Sequence, residues 1–147
     1  MVNIMSDIKK LKMKHYLDKL KEFNKAFNIE VSGSINNPSM MRFELMKEEN
    51  EEYIQATGLG MTLRRKEVVD AIGDQLYILC GTIVEHGLED EIEEVFNIIH
   101  ESNMSKLDDD GKPIVNDGVL DERKPVGKIL KSKNFVEPDF TNVLKRL

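Results

Sequence analysis

The sequence predicts an all-α protein: a four-to-five-helix bundle with an irregular C-terminal tail. Three observations carry this expectation. Apolar residues recur at helical spacing through a core of about residues 7–102. Residues that start and stop helices bound those stretches. Strand-like alternation is nearly absent outside the tail.

The elements follow in order. Ser6 or Asp7 is a candidate cap for a first helix running to about Phe27. Its apolar positions are Ile8, Leu11, Leu17, Leu20, Phe23 and Phe27. The stretch NIEVSGSINN, Asn28 to Asn37, reads as a loop. Asn37-Pro38 then has the form of an N-cap followed by proline at the first helical position. The second helix should run to about Thr57, with Gly58 just past its end. Thr62 is the candidate cap of a third helix ending near His86-Gly87, and a fourth spans Glu89 to Glu101. Residues 104–140 hold three of the four prolines and the DDDG run, without a long apolar period. They read as irregular, with a small β-hairpin around Lys112–Asp121 and a short closing helix at 139–146.

The 147 residues suit one domain with a hydrophobic core, spanning 1–147, of which about 103–147 is tail. With 40% hydrophobic and 33% charged residues, the chain is unlike a disordered one. A formal net charge of −6 argues against a nucleic-acid partner. Cys80 is the sole cysteine, so no internal disulfide forms and a reducing compartment fits. No apolar run reaches the roughly 20 residues of a membrane span, and the N-terminus lacks a signal-peptide apolar block. The expected location is the cytoplasm, with no membrane partner.

Carboxylates are the candidate chemistry. On a helical wheel Met41, Leu45, Glu48, Glu49, Glu52 and Ala56 form one core-facing stripe of the second helix. Glu44 and Glu51 fall beside it and read as solvated surface. The third helix is apolar over most of its circumference, through Val68, Val69, Ile72, Leu76, Leu79, Ile83 and Val84, and is expected to be central and buried. Glu67, Asp70 and Asp74 interrupt it on one narrow face, near Ala71, Ile78 and Gly81. An EENEE run alone is ordinarily a solvated face. Two aspartates inside an apolar helix are less ordinary, because aspartate is a poor mid-helix residue. Burying several like charges requires lysine or arginine partners, or coordinated cations. Oxygen ligands without histidine point to Mg²⁺, with Mn²⁺ as the alternative, rather than to zinc.

The pattern resembles the all-α nucleoside triphosphate pyrophosphohydrolases, the MazG-like and phosphoribosyl-ATP pyrophosphohydrolase-like superfamily. Its marks are Glu-Glu-x-x-Glu on one helix and Glu-x-x-Asp on the next. The first is Glu48-Glu49-Asn50-Glu51-Glu52 and the second Glu67-Val68-Val69-Asp70, within KEVVDAIGDQLYIL. The resemblance runs from about residue 20 to 140. The segment from Ser102 to Lys106, with Gly127-Lys128 and Pro138-Asp139, is similar to a branch common in phages and bacteria. Two registers stay open. Glu67 and Asp70 form the second motif, or Asp74 is its aspartate, with Ala71 at the expected acid and Asp70 serving instead.

The resemblance implies hydrolysis of a nucleoside triphosphate, dUTP or a non-standard nucleotide among the candidates, to the monophosphate and pyrophosphate. It implies Glu48 or Glu49 as the group that activates water. The metal ligands would come from Glu49, Glu52, Glu67, Asp70 and Asp74. Asn103, Lys106 and Lys128 would contact the substrate, although Asn103 could simply cap a helix end. Pairing of helices across a homodimer or homotetramer is expected as well. Asp108-Asp109-Asp110-Gly111 does not fit an EF-hand register, and Gly58-Leu59-Gly60 is too short for a dinucleotide loop. Two rivals remain. A di-iron bundle wants Glu-x-x-His pairs, which the chain lacks. A non-catalytic helical interaction protein of the same fold is kept in view by Ala71.

Overall fold

The computed structural model describes residues 13–37, 39–58 and 64–147. They fold as helices with a single two-stranded ribbon, an all-α bundle as expected. The helices are α1 Met13–Ala26, α2 Met40–Ala56, α3 Arg65–Glu85, α4 Ile92–Met104 and α5 Thr141–Leu144. The strands are β1 Ile114–Val115 and β2 Ile129–Leu130. Two compact units result: residues up to Asp90 with Leu147, and Glu91–Arg146. No helix among the described residues is long and apolar enough to cross a membrane.

In the first unit α3 packs against both α1 and α2. Helix α1 buries Leu17 and Leu20, and sets Phe23 edge-on to Tyr77 of α3 at 5.9 Å between ring centres. Helix α2 starts two residues later than Asn37-Pro38 suggested. Ser39 is its N-cap, and the Ser39 hydroxyl accepts from the Arg42 amide. It ends at Ala56, where Gly58 takes the left-handed conformation at φ +77°. Helix α3 stops at Glu85, and Gly87 at φ +67° follows. Pro38, Thr62 and the start of the first helix lie outside the described residues.

Helices α2 and α3 run antiparallel. Arg42 meets Gly81 at one end, and Asn50 meets Gln75 further along. A glycine inside a helix costs about 1 kcal/mol relative to alanine. Gly81 is buried against the Arg42 guanidinium, the mobile end of a side chain that could shift to admit a Cβ, so the contact marks the helix register and does not demand glycine.

Helix α3 is not buried all round, contrary to the expectation. Ala71, Cys80, Gly81, Ile83 and Val84 are buried, but Val69, Ile72, Leu76 and Leu79 are exposed, Val69 by 73%. The reason is geometric. Among the described residues, two helices pack on α3 and its remaining side stays exposed. Met41, expected on the core-facing stripe of α2, is exposed too.

In the second unit α4 starts three residues later than Glu89, because Glu89 to Glu91 form a turn and Glu91 is the N-cap. The stretch read as irregular is ordered by side chains bonding to backbone. Ser102 Oγ donates to the Val136 carbonyl, and Ser105 Oγ accepts from the Val136 amide, both at 2.8 Å. The ribbon pairs Ile114 with Leu130 and Val115 with Ile129 in antiparallel register. Its second strand therefore lies beyond the Lys112–Asp121 window. One residue explains the longer connection. Asn116 is fully buried, its Nδ2 donates to the carbonyls of Asp121, Lys124 and Pro125, and its Oδ1 accepts from the Gly118 and Asp121 amides. Buried backbone groups need such partners. Helix α5 closes the unit with Val143 buried.

Candidate metal centre

Glu49 and Glu52 stand three residues apart on α2, so they share a face. Helix α2 packs against α3, and Ala56 on the one and Ala71 on the other are buried. Glu49, Glu52 and Asp74 each offer a carboxylate oxygen within 4.8 Å of the others.

The electrostatics of this group are unfavourable by themselves. Glu49 is half-buried, and its Oε2 has neither solvent nor a hydrogen-bond partner. Its carboxyl is held above the ordinary value of 4.5, first by burial, then by the charges of Asp74, Glu52, Glu48 and Asp70. Among the described residues no lysine or arginine forms an ion pair with any of these five acids. Water reaches the exposed acids, but the shielded oxygen of Glu49 is left with neither a basic partner nor water among the described residues.

The donor set suits a hard divalent ion. All donors are carboxylate oxygens, with no histidine or thiolate among them. The orphaned Glu49 Oε2 is the atom such an ion would satisfy. Glu52 and Asp74 are exposed, so the open side can admit water or ligand oxygens.

The other candidate residues fall as follows. Glu48 and Asp70 are exposed, yet near enough to raise the Glu49 carboxyl. Glu67 is exposed and outside the group, seven residues or about 10 Å along the helix from Asp74. Glu44 and Glu51 are exposed as expected. Asn103, Lys106 and Lys128 belong to the second unit. Lys106 Nζ donates to Asn103 Oδ1 at 2.6 Å, so two of these three bond to each other. The Lys128 ammonium has no carboxylate within ion-pair distance among the described residues. The DDDG run serves local structure. Asp108 Oδ1 accepts from the amides of Asp110 and Lys112, and Lys133 and Asn134 hold the Asp109 carboxyl below its usual range.

Sequence reasoning passed over the flank of the site. An open cavity of about 570 Å³ lies beside Glu49, lined by Asn50, Gln75 and Lys47 together with Phe43, Met46, Ile78 and Leu79. The available signal was the amide that breaks the EENEE run and the one that directly follows Asp74.

The family model described as phosphoribosyl-ATP pyrophosphohydrolase matches residues 18–103, more than half of the chain. The chain belongs to that family, and so to the MazG-like all-α nucleoside triphosphate pyrophosphohydrolase superfamily. Membership implies a nucleotide pyrophosphohydrolase activity, and members generally use a divalent metal. No curated protein matches the chain significantly.

A raised carboxyl has a definite consequence for stability. The folded state binds the Glu49 proton more tightly than the unfolded state does. Metal-free protein therefore loses stability as pH rises from 4.5 through the raised value, and the full loss persists at neutral pH. Glu49→Gln should accordingly raise the calorimetric Tm of chelator-treated protein at about pH 7.5 and leave it nearly unchanged at about pH 4. A lower Tm for the variant at both pH values would contradict the burial and repulsion assigned to Glu49.

Proposed function

We propose that the chain hydrolyses a nucleoside triphosphate to the monophosphate and pyrophosphate, using Mg²⁺ or, as the alternative, Mn²⁺. One observation carries the reading. Three carboxylates converge with no basic partner among the described residues, around a buried oxygen that has no hydrogen-bond partner among them either. A divalent ion bound there would neutralise triphosphate charge and polarise the phosphoryl group under attack.

The chain's own residues have separable tasks. Glu49, Glu52 and Asp74 are the proposed ligands, with Asp70 close behind. This favours the register in which Asp74 closes the second motif. Glu67 is then left without a direct role. Glu48, exposed beside Glu49, is the proposed group that orients the attacking water and takes its proton. The anhydride bond between the first and second phosphates breaks, and pyrophosphate leaves. Asn103, Lys106 and Lys128, in the second unit, are proposed substrate contacts on the family resemblance alone. Substrates such as dUTP or a non-standard nucleotide, and a cytoplasmic setting, fit this reading.

A second reading is kept by one residue. Ala71 stands three positions before Asp74, where the family's motif has an acid. A non-catalytic helical protein of the same fold would tolerate that loss.

The same reading includes a homo-oligomer, dimer or tetramer. Val69, Ile72 and Leu76 are exposed apolar residues spaced along one face of α3, outside the lining of the cavity beside Glu49. Contiguous apolar surface of this kind marks an interaction site. A second copy of the chain is the proposed occupant.

Two measurements test these proposals. Pyrophosphate release should be detected from at least one member of a nucleoside triphosphate panel with Mg²⁺. Glu49→Gln and Asp74→Asn should each reduce it by at least about 100-fold, and Glu44→Gln should not. No release from any triphosphate would refute the enzyme reading. Light scattering should give the mass of a dimer or larger, and Leu76→Glu should shift it to the monomer. A monomeric parent protein would refute the proposed pairing.

A further inference from the structure

We infer that the cavity beside Glu49 holds the nucleobase, with Asn50 and Gln75 as the residues that read its edge. This rests on the triphosphate reading of the adjoining carboxylates. Asn50 directly follows Glu49 on α2, and Gln75 directly follows Asp74 on α3. One residue advances about 100° around a helix. The two amides therefore flank the carboxylates on the same side of the helix pair, where both line the cavity.

Their hydrogen bonding is half used. Gln75 Nε2 donates to Asn50 Oδ1 at 3.5 Å. That long bond orients the pair. It leaves Asn50 Nδ2 as a donor and Gln75 Oε1 as an acceptor, with no partner for either among the described residues. A donor and an acceptor side by side match the edge of a nucleobase, which carries adjacent donors and acceptors. Asparagine and glutamine amides are well suited to such edges.

The remaining lining supplies the flat apolar surface a base requires. Phe43 is 57% exposed and offers a ring face for stacking, Met46, Ile78 and Leu79 add apolar wall, and Lys47 is the one basic residue of the lining. A cavity of about 570 Å³ has ample room for a base. Glu49 belongs both to the cavity and to the carboxylate group. A ligand spanning the two would place phosphates at the acids and its base between the amides. Without a base the exposed amides bond only to water, so what Asn50 and Gln75 add is preference among bases, read by hydrogen bonds as well as by stacking.

The test uses product-like ligands on the full chain, so that recognition is read without turnover. Binding of the natural nucleoside monophosphates and of ribose 5-phosphate is measured by calorimetry with Mg²⁺ present. At least one nucleotide should bind about tenfold more tightly than ribose 5-phosphate. Asn50→Leu and Gln75→Leu, checked for unchanged helix content, should each cut that preference about 5- to 10-fold and leave ribose 5-phosphate binding alone. Equal binding of nucleotides and ribose 5-phosphate overturns the inference, as does an unchanged preference in both variants. Leucine variants that keep the preference but associate more tightly would show that a second copy fills the cavity, which also overturns it. Hydrolysis assays on the same proteins separate the two readings. Turnover with unaltered base ranking in the variants sinks this inference alone. Base preference without turnover of any triphosphate sinks the hydrolase reading alone.

Discussion

Repulsion among the carboxylates of Glu49, Glu52 and Asp74 is the constraint around which the first unit is arranged. Their oxygens approach within 4.8 Å where α2 packs against α3. No lysine or arginine among the described residues is within ion-pair distance of them. Glu49, with its oxygen shielded from water, bears the cost of the repulsion in the metal-free protein. A chain selected for stability alone could replace Glu49 with an uncharged residue. The acids make physical sense as a cradle for a cation, and through it for phosphate. The amides and apolar walls beside them extend the same seam into a cavity of a size suited to the rest of a nucleotide.

Much of this was legible in the sequence, for identifiable reasons. The fold class followed from apolar periodicity, and the ends of α2 and α3 from Gly58 and Gly87, both in the left-handed conformation. The carboxylates were found by their place on helical faces. Periodicity gives the angle of a residue around a helix, not its height against a neighbour. Glu67, Asp70 and Asp74 share one face, and the wheel could not rank them. Their heights are fixed by how α3 lies along α2, with Gly81 against Arg42 and Gln75 against Asn50. That register puts Asp74, and not Glu67, at the level of Glu49.

Other parts were hidden for different reasons. The apolar circumference of α3 read as burial, but an apolar face records that something covers it without saying whether the same chain does. Val69, Ile72, Leu76 and Leu79 are exposed here. The second unit misled in the opposite direction. Its order comes from single polar side chains, Asn116 and the Ser102–Ser105 pair, that bond to backbone groups at distant points in the chain. Periodicity methods do not register such residues. Its proline-rich stretch therefore looked irregular although its backbone groups find partners.

The central claim is that Glu49, Glu52 and Asp74 together form a divalent-cation site. Electron paramagnetic resonance of Mn²⁺ added to metal-free protein tests it directly. Saturable Mn²⁺ binding, displaced by Mg²⁺, should be present in the parent protein and in Glu67→Gln, and lost in Glu49→Gln and in Asp74→Asn. Mn²⁺ binding that is absent from the parent, or unchanged in both of the latter variants, would contradict the account.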